Sequence, residues 1–133
     1  MNVDQGGYEA LGSLMEIRSQ HPGAQPSPGV KRTELQRAHS EVTGRLIVQT
    51  LFQIPVGEQS GRHSHPGEEV GYLVQGDVVI DFDDRASLTV HAGEPFLIPP
   101  RTVHNARNVG VLETRMLSTY FIDETQPLVT TYD

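Results

Sequence analysis

The chain contains no cysteine and no tryptophan, and its single lysine is Lys31. Without cysteine there is no disulfide framework, no thiolate metal site and no cysteine nucleophile, so any metal has to be held by histidine and carboxylate side chains. The 17 acidic residues outnumber the 10 basic ones and give a net charge of −7. No basic cluster is present, which argues against a nucleic-acid partner because phosphate binding requires concentrated positive charge.

Long apolar runs are also missing. None approaches the roughly 20 residues that a membrane-spanning helix requires, and residues 1–20 lack the basic-then-apolar order of a secretion signal. We therefore expect a cytoplasmic protein without a membrane partner. A length of 133 residues with 36% hydrophobic side chains suits one domain that has a real core.

The first 30 residues differ in composition from the rest. Residues 8–18 carry apolar side chains at loose helical spacing, which predicts a short helix. Residues 21–29, HPGAQPSPG, hold three prolines and two glycines, which is typical of a linker or an extended arm. We divide the chain into an N-terminal arm, residues 1–30, and a single barrel domain, residues 31–133. Such an arm either wraps a neighbouring subunit or forms a mobile tail.

From residue 45 onward the sequence consists of short runs rich in β-branched and aromatic residues, separated by Gly, Pro or Asp. The runs are residues 45–54, 69–76, 77–84, 87–93, 95–100, 102–108 and 111–123. Short strands at this spacing predict an all-β sandwich or barrel and argue against alternating strands and helices.

The stretch HSHPGEE contains two histidines and two glutamates. Residues i and i+2 of a strand share a face, so His63 and His65 point the same way, and Glu69 has the same parity. Glu68 has the opposite parity and should point away. Imidazole with carboxylate is a ligand set for Fe, Mn, Co, Ni, Cu or Zn. His104, in a distant segment that a barrel can bring close, offers a fourth ligand.

The same stretch carries a family pattern, G-x5-H-x-H-x3-E-x6-G. It runs through Gly57, His63, His65, Glu69 and Gly76. This pattern resembles the first conserved motif of the cupins at every position.

The second cupin motif, G-x5-P-x-G-x2-H-x3-N, is matched by Gly93, Pro99, His104 and Asn108, after 16 intervening residues. Arg101 stands where the family usually has glycine, which puts the local turn conformation in question but not the ligand that follows it. The resemblance covers about residues 45–120.

The resemblance implies a double-stranded β-helix, or jelly-roll barrel, of two facing antiparallel sheets. It implies one divalent transition metal per chain (Fe, Mn, Ni or Zn) held by His63, His65, Glu69 and His104. Cupins are usually homodimers, often with N-terminal strands exchanged between subunits, and a proline-rich arm would suit that arrangement.

Four ligands on an octahedral ion leave two positions open for water, O2 or a substrate. We therefore expect a small metal-dependent enzyme of the dioxygenase, isomerase or lyase type that acts on a small organic metabolite. The alternative is a sensor or binding module that holds a metal or a ligand without catalysis. A third reading is a structural or storage barrel that has lost its chemistry.

Further candidates lie outside the ligand set. Gln49 would orient a ligand through a hydrogen bond if the odd-numbered face of residues 45–54 points inward, and the sequence leaves open which face does. Arg101, three residues before the last histidine of the set, lies near the expected mouth and can bind a substrate carboxylate bidentately. Tyr120 and Tyr72 are possible proton donors. For each, an ordinary core or surface position is the plain alternative.

Overall fold

The structure, a computed structural model, describes residues 29–133. Almost all of the predicted N-terminal arm, including its helix, lies outside the described residues. Ten β-strands make up the fold: β1 (Lys31–His39), β2 (Arg45–Ile54), β3 (His63–Ser64), β4 (Gly67–Gln75), β5 (Asp77–Phe82), β6 (Leu88–His91), β7 (Pro95–Ile98), β8 (His104–Asn108), β9 (Thr114–Asp123) and β10 (Thr130–Thr131). In this part of the chain no helix is long and apolar enough to cross a membrane.

The strands form two antiparallel sheets of five. Sheet A has the order β1-β2-β9-β4-β7 and sheet B the order β10-β3-β8-β5-β6. Residues alternate between buried and exposed along the long strands of sheet A, as expected when one face of a sheet packs on a core. The prediction of an all-β, double-stranded β-helix barrel is confirmed.

Apolar side chains from both sheets fill the interior in two groups. The main apolar cluster contains Phe52, Ile54, Leu73, Val78, Ile80, Val90, Phe96, Ile98, Ala106 and Met116. The minor cluster contains Val48, Tyr120, Ile122, Leu128 and Val129. Because members of both groups lie on β2 and β9, the residues between them on these strands form a separate layer.

That layer is polar, and strand register places its members side by side. Thr50 of β2 lies opposite Ser118 of β9, and Glu69 of β4 lies opposite Tyr120 of β9. All four residues are buried. We use the name polar band for these buried polar residues of the interior: Arg32, Thr50, His63, His65, Glu69, His104 and Ser118.

The outer faces of the two sheets differ. Val70, Tyr72 and Val74 of β4 and Leu97 of β7 form an exposed apolar strip on sheet A. The outer face of sheet B instead carries ion pairs, among them Arg107–Asp81 and His91–Asp77.

Candidate metal centre

Four side chains meet between the two sheets. His63 of β3 and His104 of β8 are register partners in sheet B, and their ring centroids lie 4.2 Å apart. His65 follows β3 directly, and Glu69 comes from β4 of sheet A. All four are buried, whereas Glu68 is half-exposed, as its parity predicts. The structure thus brings together the four residues that the sequence proposes as ligands.

The donor atoms of these side chains converge. One ring nitrogen from each of His63, His65 and His104 lies within 4.8 Å of the others. Oε1 of Glu69 is 3.2 Å from Nε2 of His65 and 3.5 Å from Nε2 of His104. Distances of this size between donors are those of atoms that face a common point.

Main-chain carbonyls determine the tautomer of each imidazole. Nδ1 of His63 is 2.7 Å from the carbonyl of Gly61, and Nδ1 of His65 is 2.8 Å from that of Leu128. Nδ1 of His104 is 2.8 Å from the carbonyl of Thr102. Because a carbonyl only accepts, each Nδ1 carries the proton and donates it, which leaves the lone pair on Nε2 in a neutral ring.

Glu69 is held by its other oxygen. Ser118 Oγ donates to Oε2 at 2.7 Å, and the Tyr120 hydroxyl donates to the same oxygen at 3.3 Å. The Tyr120 ring also packs on His65, with centroids 4.5 Å apart. These contacts fix the carboxylate so that Oε1 points toward the histidines.

Three of the converging atoms are buried without a hydrogen-bond partner: Nε2 of His65, Nε2 of His104 and Oε1 of Glu69. An Nε2 lone pair that faces a carboxylate oxygen at 3.2–3.5 Å is repulsive unless a proton or a metal cation lies between them. Buried polar atoms are normally satisfied. The donor set and its unpaired atoms therefore fit a divalent transition metal.

The protonation states also suit a metal. Burial, reinforced by the neighbouring imidazoles, lowers the pKa of His63 well below its ordinary value. Burial likewise lowers the pKa of His65, although Glu69 opposes this shift. Burial opposes the ionisation of Glu69, but the neighbouring His104 and His65, as proton donors to it, outweigh burial and hold the pKa of the carboxyl well below its usual range. In the metal-free protein a proton between these groups thus takes the place that a divalent ion would take between neutral imidazoles and the carboxylate.

A small cavity adjoins the centre. Its polar lining comprises Arg32, His63, Glu69, His104 and Tyr120, and its apolar lining comprises Phe52, Ile80, Phe96, Ile98, Ala106 and Met116. Including the mouth that opens to solvent, the free volume is about 250 Å³. The part that admits the centre of a water molecule is about 10 Å³, room for about one water molecule. Any larger ligand therefore has to extend into the mouth.

The Phe96 ring reaches this cavity because β4 has a glycine beneath it. A Cβ on Gly71 would lie 2.1 Å from the ring. Any larger residue at position 71 would force the ring out of its place in the cavity wall.

Gln49 does not face the centre, which corrects the interpretation of it as a hydrogen-bond partner of a ligand. The even-numbered face of β2 points inward. Gln49 instead bonds to Gln36 at 2.8 Å and to Thr119 at 3.2 Å on the outer face of sheet A. Tyr72 is exposed on the same outer face and cannot serve as a proton donor at this centre.

Arg101 and Tyr120 also have definite positions. Arg101 adopts a φ of 58°, the left-handed region that a glycine would adopt. Its N–H donates to the carbonyl of His65 at 2.8 Å and so ties the two histidine segments together, while its side chain is exposed and does not line the cavity. Burial and the Glu69 carboxylate raise the pKa of Tyr120, which keeps the hydroxyl protonated.

The sequence interpretation missed Arg32. Its side chain is 5% exposed, lines the cavity and lies over the Phe52 ring with Cζ 4.4 Å from the centroid. No pattern in the sequence marks it, because the inward positions Arg32 and Glu34 are charged and their alternation with outward residues is seen only in the burial of β1. The polar composition of β1 concealed it.

A barrel of two facing antiparallel sheets, with three histidines and a glutamate between them, defines a β-barrel protein with a candidate metal centre. Residues 50–120 of the chain match the family described as the cupin domain. This match covers more than half of the sequence, and the chain belongs to the cupin family, whose members commonly bind a metal.

Three known proteins illustrate the similarity. An uncharacterized protein of Bacillus subtilis, YdbB, is 29% identical over 79 residues, which are 59% of this chain and 67% of that protein. A conserved double-stranded β-helix protein from Klebsiella pneumoniae superposes with a TM-score of 0.65 at 17% identity, over 83% of this chain and 90% of the other.

The third is an oxalate oxidase, whose structure contains the substrate analogue glycolate. It superposes with a TM-score of 0.62 at 24% identity, over 78% of this chain and 56% of the enzyme. Similarity at this level concerns the fold alone, and this chain spans little more than half of that enzyme.

Proposed function

We propose that this cupin is a small metal-dependent enzyme of the dioxygenase, isomerase or lyase type that acts on a small organic metabolite. The observation that carries the proposal is the convergence of unpaired Nε2 and Oε1 atoms beside a small cavity. Buried polar atoms without partners are unfavourable for folding, so a site that retains several of them in one place is best explained by a ligand.

In this proposal His63, His65, Glu69 and His104 hold one divalent ion, namely Fe, Mn, Ni or Zn. Such an ion would supply Lewis-acid chemistry or, in the case of iron or manganese, redox chemistry. Histidine and carboxylate ligands suit all four metals, so the choice among them depends on geometry and supply in the cell.

The protein's own groups orient the donors and exclude water. The Nδ1 bonds to main-chain carbonyls keep each Nε2 directed inward. Tyr120 remains protonated and positions Glu69 by donating to Oε2, so we assign it an orienting role and not that of an acid catalyst. The six apolar residues of the cavity wall limit the number of water molecules that can accompany a substrate.

Elemental analysis of untagged protein, as purified, tests the proposal. We expect about one transition metal ion per chain in the wild type and background levels in His104→Ala. His91→Ala is the matched control, because His91 lies on the surface of sheet B and contacts Asp77; it should retain the metal.

The metal that is found directs the activity screen. Iron would lead to O2-uptake assays with small acids, phenols and thiols, and manganese, nickel or zinc to isomerase and lyase screens. Metal binding without turnover of any substrate class would favour the binding-module alternative. Absence of metal in the wild type after reconstitution with all four ions would contradict the proposal.

We also propose that the chain forms a homodimer through the apolar strip on sheet A. Leu97 is 61% exposed, and Val70, its register partner, is 54% exposed. In a two-fold interface the same surface meets itself, so an apolar strip without charges is complementary to its own copy. Sedimentation should show a dimer for the wild type and a monomer for Leu97→Glu. Val111→Glu, at a 90% exposed position outside the strip, should remain dimeric, and a monomeric wild type would refute the interface.

A further inference from the structure

Arg32 is the most unusual charged residue among those described. It lies on β1, an edge strand of sheet A, and its side chain is buried in the wall of the cavity that contains His63, Glu69 and His104. Its Nε and Nη1 are buried and have no hydrogen-bond partner. The contact of its guanidinium with Phe52 at 4.4 Å holds the group against the cavity wall but satisfies none of its N–H donors.

No carboxylate of residues 29–133 forms an ion pair with Arg32. The neighbouring Glu34, which faces the same side of β1, is engaged by Arg37 at 2.8 Å and 3.3 Å. A guanidinium remains charged at every accessible pH. Burying such a charge without a partner is strongly unfavourable, so the position is best explained by an anion that the free chain does not itself provide.

We propose that Arg32 binds the carboxylate of a small organic acid that occupies the cavity next to the metal centre. This inference rests on the proposed function and narrows its substrate class to anions. Guanidinium and carboxylate match in shape and charge and pair through more than one hydrogen bond.

The charge balance of the cavity agrees with this assignment. The charges of Arg32 and Glu69 cancel each other, and imidazoles bind a metal ion in their neutral form. A divalent ion held by these residues therefore leaves the cavity with excess positive charge in a buried setting, which favours an anionic ligand over a neutral one.

The dimensions and the walls limit the size of the acid. Only about 10 Å³ of the cavity admits the centre of a water molecule, so the carboxylate end of a compact acid would enter it and the remainder would lie in the mouth. Phe52, Phe96 and Met116 present apolar surface to it, so the acid would have its charge at Arg32 and the metal centre and its carbon skeleton against these side chains.

Arg32 replaces Arg101 as the arginine that would recognise a carboxylate. The side chain of Arg101 is exposed outside the cavity, and its main-chain N–H has a structural partner. The two residues thus provide a matched pair, one arginine inside the cavity and one outside.

Isothermal titration with glycolate tests the inference. Glycolate is small and anionic, and glycolamide is a neutral analogue of nearly the same shape. We expect wild type to bind glycolate more tightly than glycolamide, and Arg32→Gln to weaken glycolate binding by about 10- to 100-fold, as for the loss of a charge-assisted pair. Arg101→Gln should bind as the wild type does.

The titrations are made on metal-loaded and on chelator-treated protein. This separates a failure of the metal-dependent function from a failure of the proposed interaction between Arg32 and a carboxylate. Arg32-dependent glycolate binding to protein that takes up no metal would uphold this inference and contradict the metal-dependent function. Normal metal uptake with equal glycolate affinity in wild type and Arg32→Gln would overturn this inference and leave the function standing.

A measurement on the wild type covers the case in which Arg32→Gln fails to fold. The Nε–Hε resonance of Arg32 in a nitrogen–proton correlation spectrum should shift on addition of glycolate and stay unchanged with glycolamide. An Arg32 resonance that does not respond to saturating glycolate would overturn the assignment.

Discussion

The main apolar cluster and the polar band occupy the same barrel and share strands, yet they have opposite energetic character. Each buried side chain of the cluster contributes favourable burial, about 25 cal/mol per Å² of apolar surface. In the band, Arg32, Thr50, His65, Glu69 and His104 hold all the buried side-chain nitrogen and oxygen atoms without a hydrogen-bond partner among residues 29–133. The main apolar cluster stabilises the fold. The polar band costs folding free energy, and the rest of the fold holds it in place for ligand binding.

We expect the largest change in stability from a substitution that creates a cavity in the main apolar cluster. Leu73 is fully buried there, and Leu73→Ala should lower the free energy of unfolding by about 2–5 kcal/mol, as measured by urea denaturation. The folded fraction of Leu73→Ala should still bind as many metal ions per chain as the wild type does. Loss of metal from folded Leu73→Ala would show that the two regions are not independent.

The complementary substitution is in the polar band and should affect metal binding. Glu69→Gln should weaken metal binding by more than the 10- to 100-fold typical of a residue that only supports a ligand, as measured by competition with a chelator. Glu68→Gln, at the half-exposed neighbour, is the control and should bind metal normally. Equal effects of the two changes would contradict the assignment of Glu69.

A fall in pH should destabilise the protein through the histidines of the polar band, because the side chains of the main apolar cluster do not titrate. The pKa values of His63 and His65 are lowered in the folded protein, so between those values and about 6.5 the unfolded chain binds protons that the folded chain does not. The free energy of unfolding of the metal-free protein should therefore be highest above pH 6.5 and should decrease as the pH falls below that value. Urea midpoints measured from pH 8 to 5 check this, and a midpoint that rises on acidification would refute the buried, neutral state of these rings.

The smallest expected effect lies at the turn outside both regions. Because Arg101 has a φ of 58°, Arg101→Gly should relieve backbone strain and raise the free energy of unfolding by about 0.5–1 kcal/mol. Arg101→Ala keeps the unfavourable conformation and should be neutral. Calorimetry of both variants measures the difference, and a less stable Arg101→Gly would indicate that the arginine side chain stabilises the turn.

Local sequence was sufficient to predict much of this molecule. The run at residues 45–54 coincides with β2, since its β-branched and aromatic residues favour a strand regardless of context. Glu69 was separated from Glu68 by parity alone, which depends on neighbours in the chain that a sequence displays directly. His104 was proposed because a barrel can bring a distant segment close, and the resemblance to the second cupin motif implied the same residue.

The points that the sequence left open or missed depend on packing that a sequence does not display. Both faces of β2 carry apolar residues, with Ile47 and Leu51 on the outer one, so the pattern alone did not decide where Gln49 points. β1 was not predicted because its inward positions are Arg32 and Glu34, and charged residues normally mark an exposed face. The inward orientation of a charged residue becomes visible only when the opposite sheet and the cavity are in place.

The protons on the three imidazoles are accepted by main-chain carbonyls of Gly61, Leu128 and Thr102 and not by side chains. A substitution at position 102 or 128 that preserves the backbone leaves the acceptor in place, whereas the φ of 87° at Gly61 favours glycine. The orientation of the imidazoles therefore tolerates side-chain changes around them, whereas that of Glu69 depends on the Ser118 and Tyr120 hydroxyls. One set of donors can thus be retained while the range of acids or other molecules admitted beside it diverges.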